Sequence, residues 1–168
     1  MIHVCSLARL HDTVSQTGAR HVVTLMKDVT MVQRPDSILE PNHLLLDMDD
    51  ITAVLDGYVP PSERHVERLI EFVTAWDRAA PMVVHCYAGI SRSTAGAFIT
   101  ACALNPKRDE MTIARAIRSF SPTAQPNSRL VSLADVILGR NGRMIDAVRA
   151  IGPGLASYEG HPFRLDLE

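Results

Sequence analysis

The chain has 168 residues, 46% of them hydrophobic and 21% charged, and a formal net charge of −2 at pH 7. A chain of this length is expected to fold as one domain that buries about 70% of its unfolded surface. The small negative charge argues against a nucleic-acid-binding or membrane-binding surface, and no apolar run approaches the roughly 20 residues that cross a bilayer. We therefore predict a soluble globular protein with neither nucleic acid nor membrane as a partner.

The first half of the chain alternates short apolar runs with helical patterns. Three of the apolar runs are predicted to be strands: 1–6, 20–26 and 43–47. Residues 7–18 are predicted to form a helix that ends at Gly18, since glycine readily adopts the left-handed conformation that closes helices. A longer helix is expected after Ser62, a residue type that favours the N-cap position. Its core-facing side chains recur at helical spacing: Val66, Leu69, Ile70, Val73 and Trp76.

The second half begins with a buried strand over residues 82–85 and continues with helices alone. One helix follows this strand and reaches about residue 104, and three more are predicted: 110–120, 128–138 and 141–151. This order of elements predicts an α/β sandwich with a short, mostly parallel central sheet flanked by helices. We expect one domain over residues 1–154. The tail over residues 155–168 lacks periodicity and is expected either to be mobile or to lie across a partner.

The three cysteines, Cys5, Cys86 and Cys102, are an odd number without the spacing of a disulfide framework. Unpaired thiols favour a reducing compartment, and the first residues lack the basic and long apolar segments of a signal peptide, so we predict a cytoplasmic protein. The only lysines are Lys27 and Lys107, an arginine bias that is typical of GC-rich bacterial genomes.

The strongest functional signal lies in the stretch from Val83 to Thr94. An apolar strand is followed by a turn that contains Gly89, and the chain then enters an apolar helical pattern. In such a strand, loop and helix unit the loop amides and the free N–H groups of the first helical turn point inward, and the helix dipole adds partial positive charge. Ligands of parallel sheets bind at the carboxyl ends of the strands, where this loop lies. The stretch therefore predicts an anion site.

Two side chains turn this anion site into a reactive one. Cys86 lies at the mouth of the loop, where a helix N-terminus and a nearby cation favour the thiolate form. Arg92, six residues after Cys86, lies at the other end of the same loop, and its planar guanidinium can bind two phosphate oxygens at once. A thiolate that faces a phosphate clamp suggests nucleophilic attack on phosphorus, with the phosphoryl group carried on sulfur.

The sequence His85-Cys86, then five residues, then Arg92-Ser93 resembles the signature of the cysteine-dependent protein-tyrosine phosphatase superfamily. The chain is most similar to the compact dual-specificity branch. The resemblance implies a phosphatase-type three-layer sandwich and a phosphomonoesterase that needs no metal or other cofactor. Its substrate would be a phosphorylated protein or a small phosphomonoester.

The resemblance also implies a role for each residue of the signature. Cys86 is the expected nucleophile, Arg92 the phosphate clamp, Ser93 the hydroxyl that bonds the sulfur, and His85 the residue that orders the loop and supports the thiolate. The remaining positions of the loop would bind phosphate oxygens through their backbone amides: Tyr87, Ala88, Gly89, Ile90 and Ser91. Asn127, in a Pro-Asn pair that starts a later helix, would support the loop from beneath.

A general acid must protonate the leaving group, and the superfamily uses an aspartate some thirty-odd residues before the cysteine. Asp50 lies 36 residues before Cys86 and is our first candidate; Asp49 is second, and Asp56 is a rival. If Asp50 acts as an acid it must hold its proton, and crowding by neighbouring carboxylates would encourage this.

Three alternatives remain open at this point. The first is a pseudophosphatase that binds phosphorylated partners without turnover, and the second is a sulfur-transfer enzyme that uses a loop cysteine. The third concerns regulation, because oxidation could join Cys86 to Cys5 or Cys102. The loop contains no lysine, which makes a polyphosphorylated sugar a poorer substrate than a singly phosphorylated side chain or aryl ester.

Overall fold

The computed structural model describes residues 1–167. Five strands form one sheet: β1 (Ile2–Ser6), β2 (His21–Leu25), β3 (His43–Leu46), β4 (Met82–Cys86) and β5 (Phe163–Leu165). The described residues also contain six α-helices: α1 (Leu10–Thr17), α2 (Glu63–Ala75), α3 (Arg92–Leu104), α4 (Glu110–Phe120), α5 (Ser128–Ile137) and α6 (Arg143–Ile151). None of these helices is long and apolar enough to span a membrane.

The strand order in the sheet is β3-β2-β4-β1-β5. The first four strands of this order run parallel, and β5 is antiparallel to β1. The prediction of an α/β fold with a short, mostly parallel sheet is therefore confirmed. In the register Ser6 is opposite Cys86, so β1 and β4 end side by side and the loop that follows β4 leaves the sheet at its carboxyl edge.

Alternate residues of β4 face two separate apolar layers, because successive side chains of a strand point to opposite faces. Val84 packs in the larger cluster, which is built mainly from α2 to α6. Val83 packs in a smaller cluster with Leu10 and Val14 of α1. The sheet is therefore the middle of three layers, as the sandwich prediction requires.

Local signals place the helices of the larger layer. Ser62 and His65 form a capping box at the start of α2, in which the Ser62 side chain accepts from the His65 N–H and the His65 Nδ1 accepts from the Ser62 N–H. The buried face of α2 consists of Val66, Leu69 and Val73. Each of these side chains contributes about 1.5–3 kcal/mol by leaving water.

Helix α3 passes through the centre of the molecule, and its residues from Arg92 to Cys102 are all buried. Gly96 allows the close approach to the sheet, since a Cβ at this position would lie 3.0 Å from Cγ1 of Val84. The N-terminus of α3 is therefore held firmly against the carboxyl end of β4.

The segment after α6 differs from its prediction. The tail over residues 155–168 was expected to be mobile or to lie across a partner, and within it Phe163–Leu165 form a strand on the outer edge of β1. Phe163, Leu165 and Leu167 are buried against the larger cluster. A strand of three residues is too short to give a periodic signal, which is why the sequence did not reveal it. The prediction from sequence therefore did not include β5.

Candidate active site

The loop that joins β4 to α3, residues 86–92, has its carbonyl groups turned outward. Four of them accept hydrogen bonds from backbone N–H groups of other segments: Tyr87 from Leu7, Ala88 from Gly160, Ile90 from Gln125 and Ser91 from Asn127, over 2.9–3.3 Å. The C=O and N–H of one peptide unit point in opposite directions. The N–H groups of residues 88, 89, 91 and 92 therefore face the interior of the loop, where an anion would bind.

The conformation of this loop depends on a glycine at position 89. Its φ of +72° is unfavourable for a residue with a side chain. A Cβ at Gly89 would also lie 2.8 Å from the backbone carbon of Cys5 and 2.8 Å from the nitrogen of Ser6. Only glycine allows the 86–92 loop to pack this closely on the end of β1.

Cys86 is only 1% exposed, and its sulfur lies at the base of the loop. The Gly89 N–H donates to Sγ over 3.3 Å, and the Ser93 Oγ is 3.1 Å from it. The Gly89 N–H thus points at the position where a thiolate would carry its charge, and the Ser93 hydroxyl, which accepts from the thiol, could donate to the thiolate. For the two remaining cysteines, Cys5 and Cys102, burial raises the pKa to about 12, so both stay protonated.

Neither of these cysteines is placed to form a disulfide with Cys86. Cys5 pairs with His85 in the β1–β4 ladder and packs in the smaller cluster, so its side chain points to the opposite face of the sheet from that of Cys86. Cys102 lies nine residues after Ser93 on α3, about 13 Å along the helix axis. A disulfide needs Cβ atoms about 4 Å apart, so the geometry does not favour the oxidative link considered above.

Arg92 is buried at the end of the same loop, and its guanidinium faces the segment that follows β3. Nη1 donates to the Met48 carbonyl over 2.8 Å, which fixes the plane of the fork. Nε makes no hydrogen bond within residues 1–167 and lies 3.8 Å from Oδ2 of Asp50. A buried donor without a partner is costly, so an anion oxygen at this position would be favourable.

Asp50 lies over the loop and connects it to the start of α5. Its Oδ1 accepts from the Ser91 hydroxyl over 2.7 Å and from Nδ2 of Asn127 over 2.8 Å. Together with Arg92 these contacts place the Asp50 carboxyl at the rim of the anion site. This is the position from which a carboxyl group can reach the leaving oxygen of a bound phosphate ester.

The hydrogen bonds of Asp49, the first rival carboxylate, are made with groups outside the 86–92 loop. Oδ2 of Asp49 accepts from the Val59 N–H over 2.7 Å and is 3.4 Å from Nζ of Lys27. The Val59 hydrogen bond holds the pKa of Asp49 below its usual range, and Lys27 acts in the same direction. Asp56 is exposed in a turn between residues 55 and 58.

Asp47 and Asp49, the carboxylates that were expected to crowd Asp50, accept hydrogen bonds from other groups. Asp49 is engaged with Val59, and Asp47 accepts from the Asp28 N–H over 3.2 Å. The groups in contact with Asp50 are the Ser91 hydroxyl, the Asn127 amide and the Arg92 guanidinium. The chain turns after β3, and consecutive side chains diverge there in a way that sequence spacing does not reveal.

His85 is buried on the face of the sheet away from the sulfur. Its Nε2 is 2.7 Å from the Thr24 Oγ1, which is 2.8 Å from Nε2 of His43. Burial lowers the pKa of both histidines to about 4, so both are neutral near pH 7. Because the Thr24 hydroxyl can donate to only one of the two rings, at least one of these histidines carries its proton on Nε2. This geometry fits the predicted ordering role, whereas a neutral imidazole supplies no positive charge to a thiolate.

Asn127 joins three parts of the site. Its Oδ1 accepts from the N–H groups of Arg129 and Leu130 and so caps α5, its N–H bonds the Ser91 carbonyl, and its Nδ2 bonds Asp50. The sequence suggested support of the loop but not the bond to Asp50. It gave no sign of Gly160, Met48 or Thr24, because their contacts cross between segments far apart in the chain.

An open groove of about 670 Å³ lies beside the loop. Its lining includes Asp50 and Ser91, together with Val148 and Arg149 of α6 and Pro153 just after that helix. A molecule whose phosphate occupied the 86–92 loop would have room here for its remaining groups.

Comparison with known proteins finds a matching family and structures of similar fold. The protein-tyrosine phosphatase family model matches residues 54–125, which include the 86–92 loop but not Asp50. No curated protein sequence gives a significant match.

Several solved structures share the fold at low sequence identity. DUSP15 is 17% identical, with a TM-score of 0.66 over 89% of each chain. The Cydia pomonella PTP-2 phosphatase is 19% identical, with a TM-score of 0.63 over 80% of this chain and 84% of the other. PTPMT1, in a complex with PI(5)P, is 13% identical, with a TM-score of 0.63 over 90% of this chain and 94% of its own. The chain therefore has the fold of the dual-specificity phosphatases.

Proposed function

We propose that this chain, which resembles the protein-tyrosine phosphatases in sequence and has the fold of the dual-specificity phosphatases, hydrolyses phosphomonoesters through a phosphocysteine on Cys86. The family match and the fold support a phosphatase. The mechanism and the roles of individual residues are inferred from the geometry of the site.

One observation carries the proposal. The Cys86 sulfur lies in a loop whose carbonyls are bonded outward, so that several N–H groups converge in front of it. At the end of that loop, the buried Nε of Arg92 has no hydrogen-bond partner within the described residues. A tetrahedral oxyanion placed there would pair with all of these donors and bring phosphorus to the sulfur.

In the first step the Cys86 thiolate attacks phosphorus, and the bond between phosphorus and the leaving oxygen breaks. Asp50, as a carboxylic acid, gives its proton to that oxygen, so the alcohol or phenol leaves neutral. Such general acid catalysis contributes roughly 10²–10⁴-fold to a rate. The loop N–H groups and Arg92 bind the three remaining phosphate oxygens and stabilise their charge in the transition state.

In the second step water attacks the phosphocysteine. The Asp50 carboxylate takes a proton from the water, the phosphorus–sulfur bond breaks, and inorganic phosphate forms. Cys86 leaves as a thiolate, and Ser93, whose Oγ is 3.1 Å from the sulfur, donates a hydrogen bond that stabilises the charge. His85 stays neutral and holds the strand end in place through Thr24.

The favoured substrate is a singly phosphorylated tyrosine, serine or threonine side chain, or a small aryl phosphate. Arg92 is the only basic residue of the 86–92 loop, so the loop offers no second cation for a further phosphate group. Tyr87 is 68% exposed on the loop and is available to contact the part of the substrate next to the phosphate.

An aryl phosphate assay in EDTA tests the proposal. We expect turnover that survives the chelator, is inhibited by vanadate and is abolished in Cys86→Ser. Cys102→Ala, at a buried cysteine remote from the loop, is the matched control and should retain activity. Full turnover in Cys86→Ser would exclude a cysteine nucleophile. Tungstate binding without any turnover of aryl phosphate or phosphopeptides would reduce the protein to a phosphate-binding module.

A further inference from the structure

The segment after α6 returns to the back of the 86–92 loop. It first crosses the chain before α5, where the Leu155 N–H donates to the Pro122 carbonyl over 2.9 Å. It then reaches the loop, where the Gly160 N–H donates to the Ala88 carbonyl over 2.9 Å. Finally it joins the sheet as β5. Residues 159–165, which we call the strap, thus connect the loop to the edge of β1.

The strap contacts a peptide unit that is itself hydrogen-bonded to the nucleophile. The carbonyl that Gly160 bonds belongs to Ala88, and the N–H of that same peptide unit is the Gly89 N–H, which donates to the Cys86 sulfur over 3.3 Å. The strap therefore holds one side of a rigid peptide plane while the other side faces the sulfur.

This peptide unit needs an external restraint. Rotation of the unit changes ψ of Ala88 and φ of Gly89, and glycine populates positive and negative φ about equally. Gly89 has φ +72° in the observed orientation. The flipped orientation would replace the N–H at the sulfur with a carbonyl oxygen, which repels a thiolate.

Two features hold the strap close to the 86–92 loop. A Cβ on Gly160 would lie 2.7 Å from the Gly89 carbonyl oxygen, so a larger residue would force the strap away from the loop. The neighbouring Glu159 carboxylate accepts a hydrogen bond from the Ser6 hydroxyl at the end of β1. The strap is thus held by the backbone of the loop on one side and by the end of β1 on the other.

We infer that Gly160 is a positioning residue, which locks the Ala88–Gly89 peptide so that its N–H stabilises the Cys86 thiolate. The inference rests on the proposed function only for the identity of the nucleophile. The strap contributes no atom to the reaction. Its effect reaches the substrate through the orientation of one peptide unit and hence through the reactivity of the sulfur.

Alkylation of Cys86 by iodoacetate tests this without any need for turnover. We expect Gly160→Ala to slow alkylation near neutral pH by roughly threefold to tenfold, the value of one hydrogen bond, and to move the pH dependence of the rate upward. Tungstate should bind more weakly to the same variant. Tyr158→Ala, which removes a fully exposed side chain two residues away, should match the wild type in both measurements.

A second pair of variants covers the case in which Gly160→Ala does not fold. Glu159→Ala removes the anchor to Ser6 and should slow alkylation in the same direction, whereas Glu159→Gln keeps an acceptor for the Ser6 hydroxyl and should restore it. Wild-type alkylation profiles in the folded Gly160→Ala and Glu159→Ala variants would overturn the inference. A wild type that alkylates normally but hydrolyses no phosphate ester would instead count against the proposed function alone.

Discussion

Asn127 donates a hydrogen bond of 2.8 Å from its side-chain amide to Oδ1 of Asp50, across 77 residues of the chain. The same side chain caps α5, and its backbone N–H bonds the Ser91 carbonyl. The candidate acid, the phosphate-binding loop and a helix of the core are thus held together by one residue. A contact from a distant part of the chain therefore holds Asp50 over the 86–92 loop, and the segment after β3 that contains Asp50 does not do so alone.

Asn127→Ala should lower both kcat and stability, because it removes the bond to Asp50 and the helix cap. The cap alone is worth about 1 kcal/mol. Misplacement of the acid should cost roughly ten- to hundredfold in kcat. Asn127→Asp separates the two effects, since an aspartate can still cap the helix but cannot donate to Asp50. Steady-state kinetics together with thermal unfolding would detect this, and wild-type kcat in Asn127→Asp would refute the positioning role.

Asp50→Asn should lower kcat by roughly 10²–10⁴-fold, because the amide cannot deliver a proton to the leaving oxygen. The loss should be larger for phenyl phosphate than for p-nitrophenyl phosphate, whose leaving group is stable as an anion. Asp49→Asn should have a much smaller effect, since Asp49 is engaged with Val59. The reverse order would move the acid to Asp49, and no loss in either variant would point to Asp56.

Iodoacetate near neutral pH should label Cys86 alone. Burial raises the pKa of Cys5 and Cys102 to about 12, so neither offers a thiolate under these conditions. Mass spectrometry of tryptic peptides would locate the label, and inorganic phosphate or tungstate should protect against it. Labelling of Cys5 or Cys102 at a comparable rate in the folded protein would contradict the assignment.

Acid should destabilise the fold between about pH 6.5 and about pH 4. The pKa values of His43 and His85 fall from 6.5 to about 4 in the folded chain, so in this range the unfolded chain binds more protons. Their contribution to stability is complete above pH 6.5 and is lost progressively as the pH falls. Urea unfolding at several pH values should reveal this slope. His43→Gln should flatten it, and an unchanged slope would mean that His43 titrates normally.

The sequence predicted most of the fold because local signals are strong in this chain. The bounds of α4 agree with the prediction, and α5 ends one residue earlier than expected. The strands of the parallel part were expected at nearly the observed positions. The signature around Cys86 is likewise local, so its strand, turn and helix could all be read from one contiguous stretch.

Contacts between distant segments could not be predicted. The bond between Thr24 and His85 spans 61 residues, and that between Asp50 and Asn127 spans 77. The strap was missed for the same reason, because β5 has only three residues and depends on β1 for its hydrogen bonds. Such contacts follow from the order of strands and the path of the chain, which no single stretch of sequence specifies.

The most direct test of the account is to trap the covalent intermediate. Asp50→Asn is mixed rapidly with p-nitrophenyl phosphate, denatured within the first turnover and analysed by mass spectrometry. We expect one phosphoryl group on the peptide that contains Cys86, attached to sulfur, and none in Cys86→Ser. Turnover in the wild type with the phosphoryl group on another residue would contradict it.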